Sequence, residues 1–167
     1  MQELTIHRRR DDDPDATAAS LHDLAETYHA QGRMHKVIGC ADETLETYLL
    51  HQHEAGVART LANLGVLMSE VGRHDSAVKY FARADKAHED LPDTTARAEC
   101  VAGLGRALWL SGDQPAAHRV LNRALAFVIG SEGSDARHVR AFVEEIRQSE
   151  VSARVNHSSI LRVDAST

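Results

Sequence analysis

The stretch TLANLGVLMSEVGRHDSAVKYFARA, residues 60–84, decides the fold. Leu61, Leu64, Gly65 and Met68 stand at i, i+3, i+4 and i+7, the apolar stripe of one helix face. Gly72 interrupts the stripe, and Ala77, Phe81 and Ala84 resume it, so the stretch reads as two helices joined at a glycine corner. A glycine just beyond a helix C-terminus takes the positive φ that stops the helix at little steric cost.

Forty residues to either side the pattern recurs: Gly32, Gly72 and Gly112 sit in the contexts AQGRMHKVI, EVGRHDSAV and LSGDQPAAH. The flanks align as well. Before the corner stand Leu21, Leu61 and Val101, then Leu24, Leu64 and Leu104, then Ala25, Gly65 and Gly105, then Tyr28, Met68 and Leu108. After it stand Val37, Ala77 and Ala117, then Ala41, Phe81 and Leu121, then Thr44, Ala84 and Ala124. The small residues at 25, 65 and 105 predict close approach of a neighbouring helix. Self-similarity at one period is the mark of a repeat architecture, in which each unit covers the apolar face of the next.

Residues 60–84 and ECVAGLGRALWLSGDQPAAHRVLNRAL, 99–125, resemble tetratricopeptide repeats at the large apolar residue, the Leu-Gly pair, the corner glycine, the small residue after it and the closing alanine. AASLHDLAETYHAQGRMHKVIGCADET, 18–44, is similar but degenerate: Val37 and Thr44 replace small residues, and Gly39 sits inside the second helix at a cost of about 1 kcal/mol against alanine. The resemblance implies an all-α fold, an α-solenoid of three tetratricopeptide-like helix pairs plus a C-terminal capping helix. The usual period is about 34; forty implies longer second helices or longer connections such as HQHE, 51–54, and DLPD, 90–93. Pro92 marks a stop, and Asp93 suits the cap of the next helix.

The organisation read from this is a disordered arm over 1–15, a repeat domain over 16–148 and a flexible, serine-rich tail over 149–167. The repeats run about 16–55, 56–95 and 96–133. Ser134 or Asp135 opens the capping helix, 134–148, whose apolar face is Val139, Phe142, Val143 and Ile146, with Arg137, Arg140, Glu144, Glu145 and Arg147 opposite.

The 167 residues fit one domain, and 43% hydrophobic, 26% charged and 4% aromatic residues favour helix over an all-β sandwich. A net charge of −6 supplies no field for phosphate backbones, so no direct nucleic-acid partner is expected. No secretory apolar stretch or membrane-length run occurs, which places the protein in the cytoplasm. Cys40 and Cys100 read as buried thiols. Sixteen arginines against three lysines, with abundant alanine, is a bias associated with GC-rich bacterial genomes.

In the resembled family the first helices of successive pairs line a concave groove that binds partners. Beside the core stripe these helices carry His22, Glu26 and His29, then Arg59, Asn63, Val66 and Glu70, then Ala102, Arg106 and Trp109. Asn63 occupies a place where many peptide-binding members carry asparagine, and an amide that both donates and accepts can pair with a peptide backbone. Trp109 beside Arg106 has two readings, an interface hot spot or packing under the terminal helix. His22 and His29 stand seven apart, about 10 Å along a helix, too far to share one metal readily. His51 and His53 make no better site, so no metal and no cofactor are expected. Relatives that grip a chaperone's C-terminal carboxylate use lysines, an arginine and two asparagines. The matching positions here are His22, Glu26, Asn63, Glu99 and Gly103, and the acids would repel that ligand.

These readings predict a non-catalytic interaction module that binds an extended peptide or helix of a protein partner. The alternative is a regulatory or sensor component of a bacterial transcription-regulator or biosynthetic system, because residues 53–84 are also similar to sensor and oligomerisation arrays of such regulators. No P-loop, GxGxxG, HExxH or GxSxG motif is present, so catalysis is not expected. The open ends of a short stack predict a homodimer.

Overall fold

A computed structural model describes residues 13–92, 94–130, 133, 136–137 and 139–148. The described residues form helices and turns without strand, in two compact units, Met1–Asp93 and Thr94–Thr167. The first holds α1 (Pro14–Ala30), α2 (Met34–Leu50), α3 (Glu54–Glu70) and α4 (His74–Ala87). The second holds α5 (Thr94–Ser111), α6 (Gln114–Phe127) and a terminal helix whose described run is 139–148.

α1 starts at Pro14, inside the stretch assigned to the arm. The Asp13 carboxylate accepts from the Asp15 amide at 3.0 Å, and Pro14 stands at the first helical position, where its missing N–H costs nothing. The remainder of the expected arm, the Asp93 cap, the opening at Ser134 or Asp135 and the tail over 149–167 lie outside the described residues.

The three corners are built alike. Gly32, Gly72 and Gly112 have φ of 68°, 73° and 96°. At each, the glycine amide donates three residues back, to His29, Ser69 and Trp109, and the next amide donates five residues back, to Tyr28, Met68 and Leu108. This is the Schellman arrangement, which satisfies carbonyls that a helix end leaves open. The α2–α3 corner copies it without glycine. Gln52 takes φ of 55°, its amide donates to the Leu49 carbonyl, and the His53 amide donates to the Tyr48 carbonyl at 2.9 Å.

The forty-residue period arises in two ways. α2 is 17 residues long, with a short corner after it, whereas α4 is 14 residues long, and the connection 88–93 makes up the difference.

The aligned stripes form the core. In the first unit Leu21, Val37, Leu61, Leu64, Met68, Ala77, Phe81 and Ala84 are buried. Gly65 serves close approach, since a Cβ built there would lie 2.9 Å from the Phe81 ring. Leu24 departs from its register mates: it is 40% exposed while Leu64 is fully buried. Among the described residues of the first unit α3 packs on both α2 and α4, whereas α1 packs on α2.

In the second unit the Gly105 position faces Leu121 as Gly65 faces Phe81. Val139, Val143 and Ile146 of the terminal helix are buried against Val101, Ala124, Val128 and Leu121, with Phe142 half-buried beside them. Arg140 donates to the Val128 carbonyl at 2.7 Å, and Arg147 to Asn122 Oδ1 at 3.0 Å. Glu144 and Glu145 stay exposed, so this helix covers apolar surface and turns a polar face outward. Cys40 and Cys100 are buried free thiols. Among the described residues no helix is long and apolar enough to cross a membrane, and no group of three or more His, Cys, Asp or Glu could hold a metal ion.

Candidate partner-binding groove

In the first unit α1 and α3 both pack on α2, yet no Cα of α1 comes within 8 Å of one in α3. The space between them is an open cavity of about 850 Å³, with α1 and α3 as walls and α2 as floor. His22, Glu26 and His29 stand on the α1 wall. Arg59, Asn63 and Val66 stand on the α3 wall. Six of the residues expected to bind a partner therefore share one cavity. The floor is largely small and apolar, Val37, Cys40 and Ala41 with Thr44, whose hydroxyl donates to the Cys40 carbonyl at 2.9 Å.

A side-chain chain closes one end. The Tyr48 hydroxyl, on α2, donates to Asp15 Oδ1 at 2.8 Å and accepts from Arg59 Nη2 at 2.8 Å, linking all three helices. The Arg59 guanidinium also lies 5.8 Å over the Tyr48 ring. That ring rests on the α3 backbone, because Gly56 offers no Cβ; one built there would run into the ring carbons. His53 stacks on Tyr48 with centroids 5.0 Å apart. Its Nδ1 accepts from the Gly56 amide at 2.9 Å, which caps α3, and its Nε2 faces Asp15 Oδ2 at 3.8 Å. Burial, then the Asp15 hydrogen bond, hold the Tyr48 hydroxyl protonated above the usual range, with Arg59 opposing. Burial, then Glu43, push the Cys40 thiol up, with Lys36 opposing.

The tetratricopeptide repeat family model matches residues 16–87 and 56–128, two overlapping stretches that together cover more than half of the chain. The chain belongs to the tetratricopeptide repeat family. This is a protein-interaction fold, generally without enzymatic activity. No curated protein matches the chain. Among solved structures, the N-terminal domain of stress-induced protein-1 from C. elegans is similar at 15% identity and TM-score 0.61, over 79% of this chain and 98% of that one. The apo form of RapI is similar at 12% identity and TM-score 0.73; 87% of this chain is covered, but it spans only 41% of RapI. BtubC from P. vanneervenii is similar at 20% identity and TM-score 0.66, over 96% of this chain and 68% of that one. At these identities the likeness is one of fold.

Three further residues expected on the tetratricopeptide groove are not among those that line this cavity. Glu70 ends α3, exposed and beyond the cavity lining. Arg106 and Trp109 belong to the second unit. The Arg106 guanidinium lies 5.4 Å over the Phe142 ring. Trp109 is half-buried against the Leu121, Val143 and Ile146 cluster and meets His118 edge-on at 6.0 Å. Its contact with Val143 and Ile146 is packing against the terminal helix. The residues overlooked were Tyr48 and Asp15. The forty-residue shift does align Tyr48 with His88 and Val128, all three buried, one turn past the last aligned set.

Proposed function

We propose that the groove between α1 and α3 holds an extended segment of a protein partner, with no chemical step of its own. The observation that carries this reading is the convergence of Asn63, Val66, His22 and Glu26 on one open cavity in an interaction fold. Asn63 is exposed on the α3 wall, where its amide can both donate to and accept from a peptide backbone. The small apolar floor takes alternate side chains of an extended chain. The wall from Asp15 to His29 is about 21 Å long at 1.5 Å per residue, enough for about six extended residues.

A photo-reactive residue placed at Asn63 in the full chain, with Lys79 on α4 as control, tests this in host extract. A discrete peptide segment attached at position 63 and absent at 79, whose synthetic copy loses about tenfold affinity in Asn63→Ala, is the expected result. Equal labelling at both positions removes the groove from the function.

A further inference from the structure

The charge of the groove specifies what kind of segment it takes. Residues 13–92, the described part of the unit that holds the groove, carry thirteen acidic and seven basic side chains, a net charge of −6. Inside the groove the charges are divided between two ends. At the closed end Asp15 and Arg59 share the Tyr48 hydroxyl, and the two compensate one another. Glu26 stands eleven residues further along α1, about 16 Å at 1.5 Å per residue. Its one described polar contact is His22 Nε2 at 3.5 Å, and it is 71% exposed. The cavity is also lined by His29 on α1, Val37, Cys40 and Ala41 on α2, and Asn63, Val66 and Leu67 on α3; Lys36, outside the lining, acts on the Cys40 thiol and holds its ammonium 5.0 Å over the Tyr28 ring. Within the lining itself the one fixed cation is Arg59, which is already engaged with Tyr48.

We propose that the groove selects a basic segment, seating a lysine or arginine of the partner against Glu26. This rests on the reading of the groove as a peptide site. A carboxylate in a cavity that Val37, Val66 and Leu67 also line suits such a side chain in both its parts: the aliphatic stem lies on apolar wall, and the charged head reaches the carboxylate. The surrounding acidity steers the same segment toward the groove and disfavours an acidic one.

The test uses the full chain and two end-capped peptides of about eight residues, alternating valine with lysine or with glutamate, titrated by fluorescence anisotropy. The lysine peptide binds about tenfold or more tighter than the glutamate peptide, Glu26→Gln removes most of that margin, and Glu26→Lys reverses it. Glu89→Gln, an exposed acid outside the cavity lining, leaves it intact. If Glu89→Gln costs as much as Glu26→Gln, general acidity and not the groove attracts the peptide, and the proposal fails. If both peptides bind alike and both are lost in Val66→Asp, the groove reading stands and the charge selection falls. If neither binds, both fall.

Discussion

The Tyr48 hydroxyl donates to Asp15 Oδ1 at 2.8 Å across 33 residues of chain, and through the same oxygen it receives a hydrogen bond from Arg59. Since α1 and α3 share no close backbone approach, this pair of bonds, with His53 of the α3 cap facing Asp15 at 3.8 Å, ties the two walls of the groove. Tyr48 is 1% exposed, so its phenol has no water to fall back on.

Tyr48→Phe keeps the ring against Gly56 and His53 but removes both bonds. Loss of about 1 to 3 kcal/mol of unfolding free energy is expected, read from the urea midpoint at unchanged slope. The same group has an alkaline signature. Its folded pKa is raised, so the neutral phenol is favoured by folding, and that contribution is complete below the ordinary tyrosine value of about 10. It is lost as pH rises from there through the folded value. Wild type should lose stability over that alkaline interval more steeply than Tyr48→Phe, with the curves converging at the top.

Glycine substitutions should split by what each glycine faces. Gly65→Ala and Gly105→Ala force a methyl into Phe81 and Leu121, and each should cost about 1 to 3 kcal/mol. Gly39→Ala, inside α2 with nothing within 4 Å of the added carbon, should stabilise by about 0.5 to 1 kcal/mol. Thermal melts of the three variants give the comparison directly; a destabilised Gly39→Ala would contradict it.

Gln52 carries a left-handed φ of 55° in the corner motif that glycine fills elsewhere. Gln52→Gly should raise stability by up to about 1 kcal/mol, whereas Gly72→Ala, at φ of 73°, should lower it by about 1 to 2 kcal/mol. Chemical denaturation of the pair measures both signs.

Cys40 is 7% exposed on the groove floor, with its thiol held up mainly by burial, and Cys100 is 2% exposed in the other unit. Both should react slowly with a thiol reagent near neutral pH. An occupied groove should slow Cys40 further and leave Cys100 unchanged, as followed by mass spectrometry of the labelled peptides.

The corners and the two walls were legible because each rests on a local signal. Gly32, Gly72 and Gly112 mark positions where φ must turn positive, and the spacing of His22, Glu26 and Asn63 puts them beside a core stripe. Gln52 gave no such signal, since nothing about glutamine announces a left-handed residue. The tie from Tyr48 to Asp15 was illegible for another reason. It joins different helices over a long separation, and Asp15 stood in a stretch read as outside the fold. Arg106 and Trp109 show the limit of register. Arg106 is the forty-residue counterpart of Val66 and occupies the same helix face, but register does not say what covers that face. On α3 it lines an open cavity, and on α5 it meets Phe142 of the terminal helix.

Because the walls meet through side chains and not through backbone, the spacing of α1 and α3 is tied to the groups at 15, 48 and 59. Tyr48 is itself core, so altering it perturbs fold and groove together. His22, Glu26, Asn63 and Val66 are exposed on the walls, and a library confined to those four positions would explore new ligands while leaving the buried residues untouched.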